Sequence, residues 1–238
     1  MIKTLNLEGI GAVKLTKNLR YRNLKITVRP SSGVNVLVPG LISFNEAEKF
    51  VLEKQKWIRN SIEKMRRVAD KRTIFDADTS FQTREHCLRL MPHNKNTLGI
   101  IIKNRMIYVF YPVFADIKDE RVQQCIRKAV TEAWRIEAKA LLPQRVRELA
   151  DTFGFTYRSV AVKNAGTRWG SCSATNNINL NVQLMRLPGQ LCDYVILHEL
   201  AHTVEKNHGS NFWALLDKIT GNAKALDKEL RKYCLKNW

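Results

Sequence analysis

Residues 191–204 make two demands that one fold must satisfy together. Leu191, Val195, Ile196, Leu197, Leu200, Ala201 and Val204 are apolar nearly all round a helix, so the segment reads as buried. The same helix carries His198, Glu199 and His202. Burying two imidazoles and a carboxylate costs several kcal/mol unless something pairs with them. In His198-Glu199-Leu200-Ala201-His202 the histidines stand four residues apart, on one helix side and close enough to share one metal ion. A metal therefore reconciles the two demands. Glu199 then sits where it can take a proton from a metal-bound water.

His208 is the candidate third ligand. An unbroken helix would carry it about 9 Å past His202 and rotate it away, so the helix must stop and the chain turn back. Asn207, which tolerates the left-handed conformation, is the expected cap, with Gly209 following. The offsets from His198 equal those of H-E-x-x-H-x-x-G-x-x-H, but Glu205 stands at the turn-making glycine, so this turn must be built differently. Three neutral imidazoles leave the fourth position of Zn²⁺ open, as catalytic rather than structural sites do. One zinc per chain is expected, and other divalent metals fit the same ligands. The competing readings are two hydrogen-bonded core histidines and an exposed loop histidine at 208.

A length of 238 residues with 45% hydrophobic and 26% charged suits one moderately large soluble domain or two small ones. No signal peptide follows Met1, and no run approaches 18 apolar residues, so neither secretion nor a membrane span is expected. Cys87, Cys125, Cys172, Cys192 and Cys234 are odd in number and scattered, which points to free thiols and a cytoplasmic location. The net charge is +18, with 21 Lys and Arg against 9 Asp and Glu in residues 1–115, and 19 against 13 in 116–238. Such a field attracts polyanions, nucleic acid among them, although a solvated basic surface explains it equally. Nothing in the sequence speaks to oligomeric state.

Leu24, Ile26, Val28 and Val34, Val36, Val38 alternate around Pro30–Gly33, a hairpin pattern. Ser43 and Glu46 form a capping box for one long helix, about 43–68, whose stripe Phe50, Val51, Trp57, Ile58, Ile62, Met65 is expected to face the core. Residues 70–83 read as a loop or linker. Strands are expected at 88–90, 97–102 and 106–111, the last two joined at Lys103-Asn104. Residues 119–150 read as helix, broken or kinked at Pro143, with Trp134 and Leu141 inward. A strand near 159–163 precedes a loop over 166–177 and a period-2 strand over 178–184. Pro188 suits the start of the metal-motif helix, and helices over roughly 210–220 and 223–235 finish the chain. The class is α+β: a basic β-rich region, 1–115, and a catalytic region, 116–238.

Arg168-Trp169-Gly170-Ser171-Cys172-Ser173, Leu187-Pro188, Tyr194-Val195-Ile196-Leu197-His198-Glu199-Leu200-Ala201-His202 and Asn207-His208-Gly209-Ser210-Asn211-Phe212-Trp213 together resemble the YgjP-like family of zincins, related to SprT-like and WLM metallopeptidases. The resemblance covers most of residues 20–235. It implies a zincin-like metallohydrolase fold with the His of the Asn-His segment as third ligand. It also implies metallopeptidase activity, with some members looking instead like nucleoside triphosphate pyrophosphohydrolases acting on UTP.

Under the metallopeptidase reading, metal-bound water activated by Glu199 attacks a peptide carbonyl, and the strand over 178–184 pairs with an extended peptide. The alternatives are a metal-dependent nucleotide pyrophosphohydrolase and a nucleic-acid-associated, SprT-like protease. Arg168 is the candidate substrate or anion contact, against a surface ion pair. Glu205 is a candidate to orient His202, and Tyr194 to reach the cleft, against a core role. Trp169 and Trp213 read as packing residues. Trp169-Gly170-Ser171-Cys172 resembles part of the papain signature, but without its first Cys and its following aromatic.

Overall fold

The structure, a computed structural model, describes residues 1–29, 33–69 and 73–235, with the side chains of 65–69 left aside. It forms two compact units, Met1–Arg72 and Thr73–Lys236.

The first unit is a four-stranded sheet with two helices. β1 (Ile2–Leu7), β2 (Gly11–Asn18), β3 (Lys25–Arg29) and β4 (Gly33–Pro39) lie in the order β1-β2-β4-β3. The expected hairpin is present, with Val28 opposite Val34 and Ile26 opposite Val36, while its tip, 30–32, lies outside the described residues. Val13, Leu15, Val34, Val36 and Val38 alternate onto one sheet face and pack on Ala47, Val51 and Ile58. Ser43 and Glu46 close the capping box, but the helix it opens is shorter than expected. α1 (Phe44–Glu53) ends at Lys54, and α2 (Gln55–Ala69) restarts at once. Trp57 departs from its expected core role and is 51% exposed, because Ile58 occupies the inward position.

In the second unit, β5 (Cys87–His93), β6 (Gly99–Lys103) and β7 (Met106–Pro112) form a sheet in the order β5-β7-β6. The turn between β6 and β7 sits one residue later than expected: Asn104 and Arg105 take φ of 52° and 58°, as a two-residue primed turn requires. α3 (Glu120–Phe153) runs 34 residues, through Pro143 without a break, and ends where Gly154 adopts a left-handed φ of 72°. Leu142 points inward in place of Leu141, which is 37% exposed. Leu88, Ile107 and Val109 share one core with α3. A division at residue 115 would run through that core, so residues 87–112 belong with the catalytic part and the basic sheet unit ends near residue 72. The stretch 73–83 has no regular structure but is anchored: Phe75 is fully buried, and its main chain pairs both ways with Gln123.

The site is built on the C-terminal half. β8 (Ser159–Lys163), β9 (Gly170–Cys172) and β10 (Asn177–Asn181) form a sheet in the order β8-β10-β9. The expected strand over 178–184 stops at Asn181, whose side chain accepts from the Gln183 N–H and starts a 3₁₀ turn over Val182–Arg186. It is also central, paired on both sides, so the edge strands of this sheet are β8 and β9. α4 (Gly189–Ala201) begins after Pro188, as expected, and is followed by α5 (Ser210–Thr220) and α6 (Ala223–Leu230), the last shorter than expected. Among the described residues no helix is long and apolar enough to cross a membrane.

Candidate metal centre

α4 ends earlier than the sequence implied. His202 itself is the C-cap, and the chain turns through 203–205, so Asn207 does not cap the helix. The early stop brings His208 back over α4. Its Nε2 lies 3.0 Å from His198 Nε2 and 3.2 Å from His202 Nε2. Around one tetrahedral ion with bonds of about 2.0–2.1 Å, ligand nitrogens stand roughly 3.3 Å apart. The observed spacing fits that ion. The His202 Nδ1–H donates to the Glu205 carbonyl at 2.9 Å, which leaves the Nε2 lone pair of His202 facing the other two rings. Glu205 thus orients His202 through its main chain rather than its carboxylate. That clustering of ring nitrogens, one of them an oriented lone pair, suits a cation at the centre. His198, His202 and His208 would hold it.

Phe212, the first-turn residue of α5, forms the floor. Its fully buried ring stacks on His202 at 4.5 Å and 25° and meets His198 and His208 edgewise at 4.9 and 4.8 Å. Burial pushes the His198 pKa down to about 4, helped by His202 and His208, and it lowers His202 as well. Neutral imidazole is the ligating form, so the apolar floor favours metal binding.

Glu199 is buried and presses against β9. A Cβ at Gly170 would come within 2.6 Å of Glu199 Oε1, so no larger residue fits there without displacing the carboxylate. Burial raises the Glu199 pKa to about 7, opposed by the Arg168 charge and a main-chain hydrogen bond from Cys172. A carboxyl poised near 7 suits a group that must both take and return a proton.

Arg168 is exposed in the loop before β9. It lines a recess of about 280 Å³ with Lys163, Trp169, Ser171, Asn179 and Asn181, a set without a carboxylate. Asn181 holds this loop: it donates to the carbonyls of Ala165 and Arg168 at 2.6 and 2.8 Å, and its N–H pairs with the Trp169 carbonyl. Tyr194 stays in the core, 2% exposed, its ring 6.1 Å from His198 and its hydroxyl without a protein partner, and burial pushes its pKa up to about 12. Trp213 packs edge-on against Phe212. Burial also raises the Cys172 thiol, the reverse of an activated thiolate, which removes support for the cysteine reading.

Sequence reasoning overlooked Gly170, Asn181 and Phe212 as site residues. Gly170 had a signal, a glycine inside the Arg168–Ser173 motif, but its reason is a close approach visible only in three dimensions.

No curated protein matches the sequence. Among solved structures, the metallopeptidase zymogen abylysin of Pyrococcus abyssi is 24% identical over 37% of this chain and 91% of its own, with a TM-score of 0.34. Jannalysin of Methanocaldococcus jannaschii, also a metallopeptidase zymogen, is 23% identical over 37% and 92%, again at 0.34. The family described as "YgjP-like, metallopeptidase domain" matches residues 22–233, which takes in β3 through α6 and with them the whole histidine cluster. Over that span the chain belongs to the YgjP-like metallopeptidase-domain family.

Proposed function

We propose that the protein is a zinc-dependent peptidase with His198, His202 and His208 as ligands and Glu199 as general base. The observation that carries this reading is the convergence of three Nε2 atoms beside a carboxylate held on the edge strand. A divalent ion there supplies Lewis acidity, which acidifies water and polarises a substrate carbonyl. The remaining work falls to this chain's own groups. Glu199 accepts a proton from the attacking water and passes it to the departing amine. A cation at the three histidines favours its ionised form, so the buried carboxyl is ready to act as a base. β9 is an edge strand, and an extended peptide adding along it as a further strand would bring its scissile bond towards the histidines.

A second reading rests on the recess lined by Lys163 and Arg168, whose lack of a carboxylate suits an anionic substrate group. It supports a nucleoside triphosphate pyrophosphohydrolase. The zinc-loaded protein assayed in parallel on unfolded polypeptides and on UTP and its relatives separates the two. Glu199→Gln should retain the metal while turnover falls by about 10²–10⁴ on whichever substrate is cleaved. Hydrolysis of triphosphates with polypeptides untouched would overturn the peptidase reading, and full turnover in Glu199→Gln would overturn Glu199 as base.

A further inference from the structure

The first unit holds sixteen Lys and Arg against six Asp and Glu in 72 residues, and its open sheet face carries Lys14, Lys25 and Arg29. Its inner face is the valine-rich surface under α1 and α2. On the other face the register aligns Ile2, Thr16, Leu37 and Lys25 in one row and Thr4, Lys14, Asn35 and Thr27 in the next. Asn6, Ala12 and Arg29 extend that surface, and the exposed Arg20 and Arg22 lie in the connection at its Lys25 end. Among the described residues no carboxylate stands on this face. Glu46, Glu48, Glu53 and Glu63 are all on the two helices, and Glu8 is in the β1–β2 turn.

We infer that this open face binds the phosphate backbone of duplex nucleic acid. Cations interleaved with threonine hydroxyls and asparagine amides are the groups that contact phosphate and sugar without reading sequence. Lys14, Lys25 and Arg29 sit two strands or four residues apart, roughly 10–13 Å. That spacing spreads three charges over several phosphates rather than focusing them on one small anion. Among the described residues the strands place no aromatic on this face, so it lacks the stacking platform that single strands use. Among the described residues Ile2 and Leu37 are the large apolar groups of the sheet face, with Leu19 exposed in the connection beside Arg20, too few to insert into a bilayer.

The test is binding of the full-length protein to a fluorescent 20-base-pair duplex of random sequence, titrated between low and physiological salt. The log–log slope should lie near −3 or steeper, given about −0.9 per phosphate contacted. Lys14→Glu/Lys25→Glu/Arg29→Glu should weaken binding at least 30-fold and flatten the slope. Lys49→Glu/Lys56→Glu/Lys64→Glu, which removes the same charge from the helical side, should change it less than 3-fold. If the first variant fails to fold, the corresponding glutamines, checked by circular dichroism, give the same ordering with smaller effects. Equal losses in the two variants, no duplex binding at low salt, tighter binding to the single strand, or binding to phosphatidylserine vesicles but not to DNA would each overturn the inference.

Discussion

Gly170 and Glu199 are closely fitted, because the carboxylate occupies the space a side chain on β9 would need. Gly170→Ala should therefore leave the three histidines and metal content intact while lowering turnover by at least tenfold, a split between metal analysis and kinetics that simple unfolding would not give. Unchanged turnover would mean the carboxylate can move without consequence. The same carboxyl and His198 also set opposing pH dependences in the metal-free protein. His198 has its pKa lowered from 6.5 to about 4, so the unfolded chain binds more protons between those values and stability falls as pH falls through that window. Glu199 has its pKa raised from 4.5 to about 7, so the folded state binds more protons and stability falls as pH rises between them. In chelator-treated wild type the two trends offset each other between pH 4.5 and 6.5. Chelator-treated Glu199→Gln should show the trend of His198 and His202 without that opposition, with a urea midpoint that drops more than that of wild type on acidification. Superimposable profiles would contradict the assignment. That His198 and His202 share one side of α4 was legible in the sequence because spacing on a helix is a local property, and the structure brings His208 to them. The place of Phe212 was not legible, because an aromatic ten residues past a histidine gives no sign that it will lie beneath it.

Each element of the site is placed by a contact to another element rather than by its own propensity. α4 is apolar all round and could pack in several rotations, but Arg145 of α3 grips Asp193 with two parallel bonds, Nε to Oδ1 at 2.8 Å and Nη2 to Oδ2 at 2.7 Å. Bidentate pairs of this kind fix orientation as well as energy. Asp193→Asn should lower stability by about 1 kcal/mol, a modest figure because both partners are partly solvated, and should weaken metal binding through a misrotated α4. Equilibrium unfolding with and without zinc reads both effects, and an unchanged metal affinity would show that the clamp is structural only. Period and capping gave the positions of most helices and strands in advance. Their ends were set by tertiary pairing: the predicted strand over 178–184 stops at Asn181, where a buried amide bonds to the loop before β9 better than to another strand residue. The long helix predicted over 43–68 divides at Lys54, and no local signal in the sequence marks that division.

At the scale of the whole molecule, the chain divides its composition between two units. One is strongly basic, with Lys14, Lys25 and Arg29 on its open sheet face, and the other gathers His198, His202 and His208 over an aromatic floor. The boundary was misjudged from sequence because charge and strand content change gradually, whereas the decisive fact is that β5 and β7 share their core with α3. X-ray absorption at the zinc edge of untagged, zinc-supplemented protein, with elemental analysis of the same sample, measures the metal centre directly. One zinc per chain, three imidazole nitrogens at about 2.0–2.1 Å with the remaining coordination from oxygen, and loss of that signal in His208→Ala are the predicted result. A sulfur scatterer, two imidazoles unchanged by His208→Ala, or no stoichiometric zinc would contradict it.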